Sequence, residues 1–293
     1  MNGGDSRPRY NRRMTKSIGQ SDPSRRDVGS SRAPSADFDP DCRACPRLAD
    51  FLAESRVRYP DYYCRPVPAF GSGMPTLLVV GLAPGLHGAN ASGRPFTGDH
   101  AGILLYQTLY DIGRASRATS ESVSDGLELI DCRITNAVKC VPPANKPTPA
   151  EIRTCNGWLK VELSSLGLDR AAGSNPDAPR AGRNPQNIPS GPLANDNPQK
   201  NHSEPLAVVA LGRIAHEAVL RALGLKLADY RFAHGAEHAL GEGLRSARLF
   251  DSYHCSRYNT QTRRLTPEMF LEVFARADAF ARGEDDVTPV EAR

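Results

Sequence analysis

Four cysteines in two pairs are the residues whose spacing most directly speaks of chemistry: Cys42-x-x-Cys45 and Cys140-x14-Cys155. A Cys-x-x-Cys step lets two thiolates reach one metal from a single turn of chain. Cys140 follows an expected strand and Cys155 lies inside the next expected helix, so a chain reversal at Pro142-Pro143 could bring them together. Four thiolates would hold zinc or an iron–sulfur cluster, and spacing alone does not choose between them. The ordinary alternative is that Cys140 and Cys155 are small buried residues and the first pair a coincidence. Cys64, Cys132 and Cys255 are expected as buried free thiols.

A second stretch with chemical potential runs from Gly81 to Asp99 and carries five glycines before the aspartate. Glycines let the main chain approach a ligand closely, with N–H donors unobstructed. The stretch lacks the Lys-Ser/Thr ending of a nucleotide-binding P-loop and the Gly-x-Gly-x-x-Gly dinucleotide fingerprint. Phe96, set among polar loop residues, is a candidate exposed ring able to stack on a flat base, or else tucks into the core. Asp99 precedes an expected helix and is an ideal N-cap. His254 lies just past the apolar Leu249-Phe250 and should project from a strand end into a cleft.

The elements that must position these groups alternate. A helix is expected from about Pro46 to Ser55, with Leu48, Phe51 and Leu52 on one face. Apolar runs predict buried strands at 76–83, 134–138 and 206–212, and a further strand at 246–250. Helices are expected from near Asp99 (Ile103, Leu104, Tyr106 and Leu109 inward), from Thr148 to about Leu163, after Gly212 (Ile214, Ala218, Val219 and Ala222 inward) and after Thr266. Thr148-Pro149-Ala-Glu151 reads as a capping box with proline at the first helical position, and Thr266-Pro267 repeats that start. Short, continuously apolar strands alternating with helices predict an α/β/α sandwich on a mainly parallel sheet, as a single domain. Ligands of such sheets bind at the C-terminal strand ends, where the informative loops fall.

The 293 residues carry a formal charge of +4, but residues 1–36 alone contribute +5 and leave the remainder at −1. Net charge therefore does not carry a nucleic-acid reading. Residues 1–36 are expected to be a disordered basic arm, 37–283 the folded domain, 167–204 a disordered insert and 284–293 a flexible tail. No apolar run is long enough to span a membrane and no secretory h-region is present, so a reducing, cytoplasmic setting with free or metal-bound thiols is expected.

Read in order, Gly81-Leu-Ala-Pro-Gly85, Gly93-Arg-Pro-Phe-Thr-Gly-Asp99, Thr135-Asn-Ala-Val-Lys-Cys140-Val-Pro-Pro-Ala-Asn145-Lys-Pro-Thr-Pro149 and Ser252-Tyr-His254-Cys-Ser-Arg-Tyr-Asn259-Thr resemble the uracil-DNA glycosylase superfamily. The likeness is greatest to the prokaryotic class B, or family-five, iron–sulfur enzymes, relatives of the family-four glycosylases. With Cys42 and Cys45 it spans about residues 39–275, the 167–204 segment excepted.

The resemblance implies a monomer that acts on DNA containing uracil or other deaminated bases such as hypoxanthine and xanthine. It implies a [4Fe–4S] cluster on Cys42, Cys45, Cys140 and Cys155, with zinc the alternative. Phe96 would stack on the flipped base, Gly85 and His87 would line its site, and Asn136 would read its edge. An amide accepts from uracil N3–H while donating to O4, a pattern that cytosine reverses. His254 would donate to the base O2 as charge develops, and Ser256, Arg257 and Asn259 would clamp the DNA. The chain departs from the family-four pattern at Leu82, where those enzymes carry a carboxylate; Asp99, with Asn145 as partner, is then the water-activating candidate. Two rival readings are a non-catalytic or covalent uracil-DNA-binding iron–sulfur protein and a zinc-binding interaction module.

Overall fold

Continuously apolar strands must be covered on both faces, because successive side chains point to opposite sides. In the computed structural model, which describes residues 38–168, 204–240 and 245–284, that demand is met by one six-stranded sheet. The strands are β1 (Phe70–Gly71), β2 (Leu77–Gly81), β3 (Cys132–Asn136), β4 (Leu206–Leu211), β5 (Glu237–Ala239) and β6 (Ala247–Ser252). Their order is β1-β3-β2-β4-β6-β5, with the four inner strands parallel and both edge strands antiparallel.

The helices are α1 (Pro46–Arg58), α2 (Ala89–Ser92), α3 (His100–Asp111), α4 (Pro149–Ser165), α5 (Arg213–Ala222), α6 (Arg257–Gln261) and α7 (Pro267–Ala281). Leu77 and Val79 of β2 face a layer made by α3 and α7, where Leu105, Tyr106, Phe270 and Phe274 are buried. Their neighbours Leu78 and Val80 face the opposite layer of α4 and α5, with Leu159, Leu163, Ala218 and Val219. A third, smaller apolar cluster joins Leu48 and Leu52 of α1 to Ile152 and Cys155 of α4. The sandwich expected from the alternation is therefore the observed architecture.

Local chemistry sets the helix starts as expected. Thr148 accepts from the Glu151 N–H while Glu151 reaches back to the Thr148 N–H, and Thr266 caps α7 by accepting from Met269. Two inward assignments are corrected. Ile103 is 67% exposed and Leu105 takes the buried place on α3; Ile214 is 38% exposed while Ala215 turns inward on α5. The tertiary face on each helix is offset from the one that large apolar side chains alone mark out. The short edge strands β1 and β5 were not expected, since neither has an apolar run. The 1–36 arm, residues 169–203 of the 167–204 segment and the tail from 285 lie outside the described residues.

Candidate active site

Because β2, β3 and β6 run parallel, the loops that leave them gather at one edge of the sheet. There they line a cavity enclosing about 830 Å³ of open space. Leu82, Ala83, Pro84, Gly85, Phe96 and Asp99 come from the loop after β2, Asn136 from the end of β3, Asn145 from the turn beyond it, and His254, Ser256 and Arg257 from the segment after β6.

Phe96 is buried, the second of the two placements its sequence context left open, and it still lines this cavity. Its φ of 57° lies in the left-handed region, uncommon for a non-glycine residue and persistent only where the surroundings over-determine it. Arg94 supplies that constraint. Buried itself, it donates to Thr97 Oγ1, Ser120 Oγ and both oxygens of Asp125. Burial pushes the Asp125 carboxyl up, but the hydrogen bonds from Arg94 and from the Leu127, Glu121 and Ser122 N–H groups hold it far below the usual range. Tyr106 Oη adds a bond to the Pro95 carbonyl at 2.7 Å. The motif arginine is thus a loop lock, a role that sequence alone did not separate from its neighbours.

Asn136 is only 3% exposed, and its Oδ1 is buried without a hydrogen-bond partner. Any side chain at Gly81 would collide with this oxygen and with the Phe96 ring, so the glycine is what lets amide and ring share the cavity floor. A buried, unsatisfied amide oxygen costs about 1–3 kcal/mol unless something donates to it.

Asp99 performs the capping role and keeps an oxygen in reserve. Its Oδ1 accepts from the Gly102 N–H at 2.9 Å at the start of α3. Its Oδ2 faces Gly85 and Gly88, and a side chain at Gly88 would strike it. Burial raises the Asp99 pKa, with the Gly102 and Ala101 N–H groups and His100 pulling it partly back. Asn145 (φ 56°) lines the cavity from an exposed turn; among the described residues no hydrogen bond joins it to Asp99.

His254 is half-buried and near-parallel to Phe96, with ring centroids 6.2 Å apart. Burial lowers its pKa to about 4, so the imidazole is neutral at physiological pH. Ser256 caps α6 by accepting from the Asn259 N–H. Asn259 donates its Nδ2 to the His254 carbonyl at 2.8 Å. Arg257 is exposed at the cavity rim, and the adjacent Tyr258, which sequence reasoning passed over, is 70% exposed. His87 does not line the cavity: its Nδ1 pairs with Tyr62 Oη at 2.9 Å, and its ring stands edge-on to Tyr59 and Tyr62.

Cys42, Cys45, Cys140 and Cys155 line a separate cavity of about 380 Å³, walled by Leu48 and Trp158. The Lys139 N–H donates to Cys155 Sγ at 3.2 Å. Burial raises the thiol pKa of Cys45, Cys140 and Cys155, and the charges of neighbouring thiols push the same way. Without a bound cation the three therefore favour the neutral thiol. His216, His238 and Asp251 are the one group of three metal-capable residues among the described residues with ligand atoms all within 4.8 Å. Four cysteine side chains around one cavity are a donor set that fits either zinc or an iron–sulfur cluster. His216, His238 and Asp251 already satisfy one another: both imidazoles hydrogen-bond the buried carboxylate, at 2.8 and 3.1 Å. Arg47 ties α1 to α4 beside the thiols through a bidentate pair with Glu151 at 2.7 Å.

Residues 68–172 match the model of the uracil DNA glycosylase superfamily. The chain is 41% identical over 245 residues to a type-5 uracil-DNA glycosylase of Thermus thermophilus, covering 82% of this chain and 94% of that one. It is 38% identical over 247 residues to the type-5 enzyme of Mycobacterium leprae, covering 82% and 91%. A type-4 uracil-DNA glycosylase of Archaeoglobus fulgidus is 36% identical over 126 residues, 43% of this chain and 50% of that one. Arising where the parallel strands end and matched over most of their length by such relatives, this chain belongs to the uracil-DNA glycosylase superfamily, in its type-5 branch.

Proposed function

We propose that the protein is a DNA glycosylase that hydrolyses the N-glycosidic bond of uracil, and of hypoxanthine and xanthine, leaving an abasic site. The observation that carries this reading is the orphaned Asn136 Oδ1 on the cavity floor. Uracil N3–H would supply the missing donor, while the amide Nδ2 meets O4. Hypoxanthine and xanthine present the same N–H beside a carbonyl, whereas cytosine and adenine reverse it. Extrusion from the helix is needed to bring the base there, and Phe96 offers a ring beside the amide.

Departure of the base leaves negative charge on it and positive charge on the sugar. A neutral His254 is suited to donate to the base oxygen as that charge grows, in a site where desolvation strengthens the bond. The Asp99 Oδ2 not engaged in capping is the acceptor for the attacking water, since Leu82 offers no polar group. Arg257 at the rim would meet a backbone phosphate.

Cys42, Cys45, Cys140 and Cys155 would hold a [4Fe–4S] cluster. When bound, it crosslinks α1 to α4 and fixes the segment between Cys140 and Cys155 that carries Asn145. Single-turnover excision from duplexes holding one uracil, hypoxanthine, xanthine or undamaged base tests the proposal, with Asp99→Ala and His254→Ala as controls. Activity on uracil alone would remove the wider substrate range. No alkali-labile strand breaks, but a protein band shifted on denaturing gels, would replace hydrolysis by covalent trapping.

A further inference from the structure

We propose that His234 is a positioning residue for base excision, fixing through Tyr253 the main chain that presents His254; this rests on the assignment of His254 to the base. β6 ends at Ser252, so the ladder that aligns the strand stops just short of the histidine. From there side chains take over. The Tyr253 N–H donates to His234 Nδ1 at 3.2 Å, and the two rings stack with centroids 4.9 Å apart and planes 16° from parallel. On the other side of His254, its carbonyl accepts from Asn259 Nδ2. The catalytic imidazole therefore hangs from a short span of backbone held at both ends by side chains.

The brace works only with one form of His234. A ring nitrogen that accepts an N–H carries no hydrogen of its own, so the proton must sit on Nε2. Burial favours the neutral imidazole and lowers its pKa; Glu272 and the Met269 backbone, on the first turn of α7, oppose this, and Arg276 adds to it. Arg264 lies 4.5 Å from the centre of the Tyr253 ring, completing the charged groups around the stack. Arg276 also donates to the Gly235 carbonyl at 2.8 Å, holding the loop that carries His234. None of these contacts reaches the base cavity, so His234 acts through Tyr253 and His254, not on substrate.

The test uses the full chain with its metal content measured. His234→Ala should lower single-turnover uracil excision about 10- to 100-fold, the scale of a small misplacement of a reacting group. The Kd for a non-cleavable 2′-fluorodeoxyuridine duplex should stay within about twofold. His234→Asn places an amide oxygen near the lost Nδ1 and should recover most of the rate. By NMR titration, the His254 pKa of about 4 should hold in His234→Asn and rise towards the ordinary histidine value in His234→Ala. The proposal is overturned if His234→Ala excises at the wild-type rate while His254→Ala does not. It is equally overturned if the Ala and Asn variants are impaired alike, or if the His254 titration is unmoved. A His254→Ala variant with full activity would instead remove the functional reading beneath it.

Discussion

The thiol cavity and the base cavity handle their polar groups in opposite ways. Around the thiols, charges are matched: Arg47 with Glu151, Lys139 and Arg133 with Glu162, and the Lys139 N–H with Cys155 sulfur. In the base cavity the Asn136 oxygen has no partner, burial holds His254 neutral, and burial works against the charge of Asp99. On the proposed reading, a centre bound in the first region would hold the fold together. The second keeps polar atoms desolvated and unsatisfied, a cost tolerated where a ligand is to supply the missing partners. Structure and chemistry are thereby assigned to different cavities, and mutations should separate them.

The largest effect is expected at the thiols. Structural metal–thiolate sites contribute apparent free energies on the order of 10 kcal/mol to folding. Cys140→Ser should lower iron content, soluble yield, Tm and excision together. A well-folded, iron-free variant that excises uracil normally would erase the contrast between the two regions. At the base cavity the signature should be the reverse. His254→Ala should cost excision about 10²- to 10³-fold, the usual effect of removing one donor to developing negative charge. Its Tm should stay close to wild type, and a large fall in Tm would mean that His254 holds the fold and not the base.

Asp99 sharpens the comparison because it serves both purposes. Asparagine caps helices about as well as aspartate, whereas alanine costs about 1 kcal/mol. Asp99→Asn should therefore keep or raise stability while losing excision at least tenfold; Asp99→Ala should lose both. The pH dependence follows from the raised pKa of Asp99. A carboxyl with a raised pKa favours the folded state more as pH falls towards that pKa. Any stability advantage of Asp99→Asn should thus be greatest near neutrality and shrink on acidification. Urea midpoints from pH 7 to pH 4 check the sign, and an advantage that grows with acidity would contradict it.

Legibility in the sequence followed the range of the interactions. Helix starts at Thr148 and Thr266 were readable because a cap is completed within four residues. β2 and β4 were readable because burial on both faces leaves an unbroken apolar run, whereas β3, interrupted by Arg133, lies at 132–136 and not at the 134–138 expected. Cys42 and Cys155, 113 positions apart, were brought together through ordered motifs and not through any local signal. What escaped depends on backbone direction or distant main chain. The sequence could not choose between an exposed and a tucked-in Phe96, because the choice goes with a left-handed φ in a loop held by Arg94. The Asn259 bond was not readable because its partner is a carbonyl, which carries no residue-type signature. His234 was silent for the same reason: it receives a main-chain N–H from 19 residues away.

The smallest predicted effect lies at the rim, where neither region's logic applies. Arg257 is exposed, pairs with no acidic side chain among the described residues, and follows the Ser256 cap that aims the first turn of α6. The charge outside residues 1–36 is near neutral, so one unpaired guanidinium beside the cavity is a noticeable part of the local field. Neutralising one phosphate releases about 0.9 counterion on duplex DNA. Arg257→Ala should therefore weaken duplex binding modestly and flatten the slope of log Kobs against log salt by about one. The loss should be equal for uracil-containing and undamaged duplexes, since a phosphate contact carries no base information. The excision rate of bound substrate should hardly change, because Asn136, His254 and Asp99 remain in place. A loss confined to uracil-containing DNA would move Arg257 from the rim into base recognition, and would redraw the boundary of the cavity itself.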